Sequence, residues 1–253
     1  MTLRMDSRRE QPLRIAMWSG PRNISTAMMR SFSSRADCAV SDEPFYGCFL
    51  RESCVDHPMR DAVIASMDCD WRSVAKTLAG PAPSGEAVWY QKHMPHHMAG
   101  PIKPDDLKGV THAFLIRDPA RMAASYAAKR EAVTATDLGV AAQRAFFERE
   151  ADRLGKAPPV IDSADVLRDP AGTLGVLCSA LGLGWDESML AWPAGRHPAD
   201  GVWAEHWYGR VEASTGFGAP DEEPAALAGE LAAVADACRA DYEALAAHRL
   251  NAS

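Results

Sequence analysis

The longest run of this 253-residue chain without a charged side chain, Pro170 to Trp185, has only 16 residues, and four are glycines. A membrane-spanning helix needs about 20 apolar residues, so no span is predicted. The opening residues, MTLRMDSRREQP, lack the apolar centre of a secretory signal, and 1–12 are expected to form a disordered tail. A cytoplasmic location is therefore expected. A basic surplus is missing too, because 27 Lys and Arg stand against 34 Asp and Glu, leaving a net charge of −7. Nucleic acids and anionic membranes recruit proteins through positive surface fields, so neither is expected as a partner. There is no CxxC pair among Cys38, Cys48, Cys54, Cys69, Cys178 and Cys238, and no zinc-like spacing. Several of these sit where an apolar residue is expected, which reads as buried free thiols. No internal repeat, low-complexity tract or dividing linker interrupts residues 1–253, so one domain is expected.

What is present is an alternation of short apolar runs with helical patterns, the mark of an α/β protein with a parallel sheet of about five strands. Strands are predicted at Leu13–Trp18, Cys38–Ser41, Ala87–Gln91, His112–Ile116 and Val160–Asp162. In Pro170–Leu181, apolar residues at Leu174, Leu177, Cys178 and Leu181 keep helical spacing, with Asp169 as cap and Gly182 as terminator. A second stripe, Leu227, Leu231, Val234, Cys238, Tyr242 and Leu245, predicts one C-terminal helix introduced by Asp221, Glu222, Glu223 and Pro224. Between them, 192–220 has no clear period and is expected to be an irregular, lid-like segment.

The first strand runs through Ser19-Gly20-Pro21-Arg22-Asn23-Ile24-Ser25-Thr26 into a helix. Backbone amides and the helix dipole make such a turn an anion site, to which Arg22 adds charge and Ser25 and Thr26 add hydroxyls. A tight turn merely capped by Ser25 is the alternative. The GxxxxGK[ST] pattern of ATP-binding loops is absent. A second basic position, Arg117, closes the fourth strand at its carboxyl end, where open α/β sheets bind ligands. Asp118 and Pro119 are explained as cap and first helical residue. Ser125 lies about 10 Å along that helix, within reach of the same ligand. A surface ion pair with Asp118 or a neighbouring carboxylate is the alternative for Arg117.

Ser-Gly-Pro-Arg-x-x-Ser-Thr resembles the 5′-phosphosulfate loop of the sulfotransferase superfamily, and Arg117-x-Pro119 with Ser125 resembles its 3′-phosphate motif. Asp162 to Pro170, followed by Leu181-Gly182-Leu183, is similar to a further run of that family. The resemblance implies a P-loop nucleotide-kinase-like fold and sulfuryl transfer from 3′-phosphoadenosine 5′-phosphosulfate (PAPS) to a hydroxyl or amine of a small molecule, with no metal required. It implies that Ser19, Gly20, Arg22, Asn23, Ser25 and Thr26 hold the 5′-phosphosulfate and that Arg117 and Ser125 hold the 3′-phosphate. Arg22 and Lys92 would stabilise charge on the departing group. Two departures stand out: Ala27 replaces a frequent adenine-stacking Trp, and Arg210 alone stands in for a C-terminal Arg-Lys-Gly motif.

Two residues compete to take the acceptor's proton. Lys92-His93-Met94-Pro95 resembles the Lys-x-His-Leu-Pro segment of cytosolic members, and an imidazole titrates near neutrality, so His93 is preferred. Glu43, in Asp42-Glu43-Pro44, resembles the base of carbohydrate and several bacterial members. A metal reading of His93, His96 and His97 is disfavoured because Pro95 interrupts their alignment. His57, His112, His197, His206 and His248 are read as incidental, and Trp192, Trp203, Trp207, Tyr208 and Phe217 as either acceptor pocket or loop packing. The alternatives to a sulfotransferase are a small-molecule kinase using ATP and Mg²⁺, with Asp42 as base or metal ligand, and a non-catalytic nucleotide-binding protein on the same fold.

Overall fold

The strands are short apolar runs whose successive side chains point to opposite faces, and in the computed structural model they fill both faces of one parallel sheet. The structure describes residues 11–53, 55, 57–103, 106–128, 133–219 and 227–252. The strands are β1 (Leu13–Ser19), β2 (Cys38–Asp42), β3 (Val88–His93), β4 (Val110–Ile116) and β5 (Val160–Asp162). Their order is β2-β3-β1-β4-β5, with all neighbours parallel. β1 therefore sits at the centre, and its carboxyl end opens between those of β3 and β4.

Ile15 and Met17 pack on one face with Met28, Phe32, Tyr90, Leu115 and Leu177, whereas Trp18 packs on the other with Phe45, Trp89, Phe114 and Phe146. Burying such side chains contributes about 1.5–3 kcal/mol each, which fixes the phase of each strand. The first helix is α1 (Ser25–Ser33). The crossover from β2 to β3 carries α2 (Tyr46–Ser53), α3 (Arg60–Ser66) and α4 (Trp71–Leu78). Beyond β4 come α5 (Pro119–Ala127), α6 (Ala135–Leu138) and α7 (Val140–Leu154), and beyond β5 come α8 (Ser163–Arg168) and α9 (Pro170–Ala180). The last helices are α10 (Ala204–Trp207), α11 (Gly209–Glu212), α12 (Gly229–Ala237) and α13 (Arg239–Ala246).

The caps follow the expected chemistry. Asp118 accepts from the Ala120 amide at 2.8 Å, and Asp169 from the Gly172 amide at 2.9 Å. Three expectations need correction. β3 continues through Lys92 and His93 instead of ending at Gln91. The C-terminal stripe forms two helices that meet at Cys238, while its proposed start, 221–224, lies outside the described residues. Segment 192–219 is not wholly irregular, since it holds α10 and α11 and closes on itself through an Ala191–Gly216 bridge. Of the expected tail, residues 1–10 lie outside the described residues, and Gln11 accepts a hydrogen bond from Arg14. Five cysteines are buried free thiols, and Cys54 lies outside the described residues. No described helix is long and apolar enough to cross a membrane.

Candidate active site

A cavity of about 290 Å³ opens at the carboxyl end of the sheet. Its floor is the loop between β1 and α1, which takes left-handed backbone at Arg22 (φ 58°) and Ile24 (φ 44°). Ile24 is the N-cap, and no side chain caps α1. Ser25 is therefore the first helical residue and not the cap, and it lines the cavity with Thr26. With no side-chain cap, the first-turn amides are left available to an anion.

The two clamps read separately in the sequence touch each other. Arg22 Nε donates to Ser125 Oγ at 3.1 Å, and Arg117 Nη1 donates to the Arg22 carbonyl. Arg210, from α11, lines the same wall. Burial, together with Arg117 and Arg210, pushes the Arg22 pKa down. Three guanidinium groups thus converge on one volume, an arrangement that an anion relieves. Asp118 is not the partner of Arg117, because it caps α5 and pairs with Arg239 at 2.6 Å.

Next to this cluster stands Lys92. Its Nζ donates to Glu43 Oε1 at 2.8 Å, Asp42 Oδ1 at 2.9 Å, Tyr208 OH at 2.6 Å and Thr26 Oγ1 at 3.1 Å. Burial alone would lower its pKa, but Asp42 and Glu43 outweigh it and raise the ammonium well above its usual range. Lys92 therefore stays charged, as a fixed cation linking the loop hydroxyl Thr26 to the carboxylate Glu43. Asp42 lies behind it, buried and also bonded to Tyr208, and does not line the cavity. That placement removes the basis for Asp42 as an exposed base or metal ligand.

His93 is corrected by the same strand. Lys92 and His93 are successive residues of β3, so their side chains leave opposite faces. Lys92 reaches the α1 side; His93 stacks on Trp18 at 4.5 Å and lies near Phe45 at 5.9 Å. It is 2% exposed and does not line the cavity, and burial, with a smaller contribution from His112, pushes it down to about 3. It is not placed to receive a proton. Glu43 lines the cavity from the end of β2, on left-handed backbone (φ 43°).

Ser19 and Gly20 do not line the cavity either. Ser19 is fully buried, and Gly20 is needed for packing, since a Cβ there would lie 2.4 Å from the Leu138 carbonyl oxygen. Asn23 lines the cavity, while its Nδ2 ties the loop to the Leu115 carbonyl at 2.7 Å.

Of the far wall, sequence reasoning named Trp203, Trp207, Tyr208 and Phe217 as pocket or packing but missed Tyr46 and His57. Tyr46 stacks on His97 with centroids 4.6 Å apart and planes at 4°, and it bonds to His57. His57, read as incidental, lines the cavity with His96, His97, Trp203, Trp207 and Tyr208. Trp192 lies behind, edge-on to Phe217 at 5.1 Å. No local pattern marks Tyr46 or His57, because the crossover that carries them has no counterpart in strand periodicity. The described residues contain no group of three His, Cys, Asp or Glu able to hold a metal ion.

Sheet order, an uncapped helix terminus and three guanidinium groups thus mark the cavity of this α/β chain as its candidate active site. A sulfotransferase domain model matches residues 13–247, and the chain belongs to that family. Two Arabidopsis thaliana proteins named branched-chain-amino-acid aminotransferase-like protein 1 and 2 are 36% and 34% identical over 214 and 210 residues. Those matches cover 85% and 83% of this chain but only 38% and 37% of the relatives, so the chain spans less than two-fifths of their length. A sulfotransferase structure from Alicyclobacillus acidocaldarius superposes over 94% of this chain and 97% of its own, with a TM-score of 0.53 and 14% identity, and shares the fold.

Proposed function

We propose that the chain transfers a sulfuryl group from PAPS to a hydroxyl or amine of a small molecule. The observation that carries this reading is the convergence of Arg22, Arg117 and Arg210 on an uncapped helix terminus, with Lys92 and Glu43 beside it. PAPS is a polyanion with phosphates on two sides of the ribose, and when bound it supplies the sulfuryl group and a phosphate leaving group. These residues fit it: Ser25, Thr26 and the α1 amides can hold the 5′ side, and Arg117 with Ser125 the 3′ side. Arg22 lies at the junction of the two sets. Lys92 stands ready to neutralise charge as the phosphate oxygen separates. Glu43, which lines the cavity with Oε1 held by Lys92, takes the acceptor's proton in this reading.

Calorimetric titration with adenosine 3′,5′-bisphosphate, AMP and ATP, with and without Mg²⁺, tests the reading. The bisphosphate is expected to bind about tenfold to a hundredfold more tightly than AMP without Mg²⁺. Equal affinity for the two, or a requirement for Mg²⁺ with ATP, would favour a kinase instead.

A further inference from the structure

If the site is that of a sulfotransferase, its two anion clamps must stand a fixed distance apart, because the 3′- and 5′-phosphates share one ribose. On that reading, we infer that Gln143 is a positioning residue that sets this spacing, by holding the ends of β1 and β4 that lead into Arg22 and Arg117. The ladder between the two strands ends at the Ser19–Leu115 pairing, before Arg22 or Arg117 is reached. Just there, Gln143 Nε2 donates to the Trp18 carbonyl at 2.9 Å and to the Leu115 carbonyl at 3.0 Å. Leu115 precedes Arg117 by two residues, and Trp18 precedes Arg22 by four. Both partners are carbonyl oxygens, so only the amide nitrogen, with its two N–H groups, fits between them.

The Leu115 carbonyl also accepts from Asn23 Nδ2 at 2.7 Å, which uses its second lone pair and ties the loop bearing Arg22 to β4. Gln143 is 2% exposed and does not line the cavity, so it acts on a ligand only through the residues it holds. Its own helix aims it. α7 starts after Gly139 (φ 69°), whose carbonyl accepts from the Gln143 amide at 3.0 Å. The preceding Leu138 carbonyl packs so closely on Gly20 that no Cβ fits there. The turn into α7 is thus locked against the loop it braces, and the bond from Arg117 to the Arg22 carbonyl depends on the same spacing. Without the Gln143 amide, each strand end relaxes separately. A ligand that engages both clamps then has to restore their spacing on binding, a cost that a ligand engaging one clamp does not meet.

Calorimetry with adenosine 3′,5′-bisphosphate and with AMP, read beside urea unfolding, tests the inference. Gln143→Met, similar in length but without an N–H, is expected to lower the wild-type preference for the bisphosphate about tenfold, while AMP stays within about threefold. Gln143→Asn, whose amide sits one carbon short of both carbonyls, should lower the preference too, and serves if the Met variant does not fold. Phe147→Leu, one turn further along α7 and buried against Phe114, is the control: it should lose stability with the preference unchanged. A wild-type chain with no preference for the bisphosphate would sink the sulfotransferase reading and the inference with it. A wild-type preference that persists in the Gln143 variants would overturn the inference alone. So would AMP binding that weakens as much as bisphosphate binding, or an equal loss of preference in Phe147→Leu.

Discussion

Arg30 and Asp200 form a bidentate pair, Nη1 to Oδ1 at 2.7 Å and Nη2 to Oδ2 at 2.5 Å, with side chains 2% and 0% exposed. The pair pins α1, the helix that follows β1, to the segment carrying Trp203, Tyr208 and Arg210. Removing one partner of a buried pair leaves an uncompensated charge. Asp200→Leu is expected to cost about 3–5 kcal/mol in urea unfolding and to raise amide exchange across 201–212. A loss below about 1 kcal/mol would mean that the pair does not hold the segment.

Arg117→Ala should abolish the preference for adenosine 3′,5′-bisphosphate over AMP, because AMP has no 3′-phosphate. Arg22→Ala should weaken both nucleotides, by about tenfold or more, since it removes the guanidinium that lines the cavity and donates to Ser125 Oγ. If the bisphosphate preference survives in Arg117→Ala, the 3′-phosphate lies elsewhere.

Glu43→Gln should lower turnover by about 10²–10⁴-fold with nucleotide affinity little changed, as expected for a proton acceptor. His93→Leu should stay within about tenfold of normal turnover yet destabilise the fold by about 1–3 kcal/mol, because Gln91 loses a buried partner at 3.3 Å. The opposite pattern, measured as turnover beside urea midpoints, would return the role to His93.

Acid stability follows from the buried imidazoles. His93 is pushed down to about 3 and His96 to about 4, both chiefly by burial, whereas unfolded imidazoles titrate near 6.5. Below about pH 6.5 the unfolded chain binds protons that the folded chain refuses, so stability is full above that pH and falls as acid is added. Each imidazole contributes about 1.4 kcal/mol per pH unit across its window. His93→Leu should make the fall between pH 6 and 4 shallower by about that amount; unfolding free energies that stay level over this range would refute it.

The sheet, the two basic segments that meet at the cavity and the capped helices were legible because each depends on local pattern: an apolar run, a turn, a cap. The face taken by His93 was not. It depends on β3 running two residues past its expected end at Gln91, a register set by pairing of Asp42 with Lys92 and Trp18 with His93. Arg30 with Asp200, and Tyr46 with His97, were equally hidden, because nothing near either residue encodes a partner so distant along the chain. Likewise Tyr208, read only as an aromatic, turns out to bond both Asp42 and Lys92.

The left-handed backbone at Arg22, Ile24 and Glu43 bears on how this protein can be altered. Such conformations cost about 1–2 kcal/mol each in residues bearing a Cβ, and the β-branched Ile24 is the least suited of the three. Heat-hardening of the chain therefore has an obvious first target in Ile24→Asn or Ile24→Gly, and an equally obvious hazard. The kink is what turns the first amides of α1 toward the cavity, so a variant selected for endurance alone would drift toward a looser, less discriminating grip on whatever anion the cavity takes.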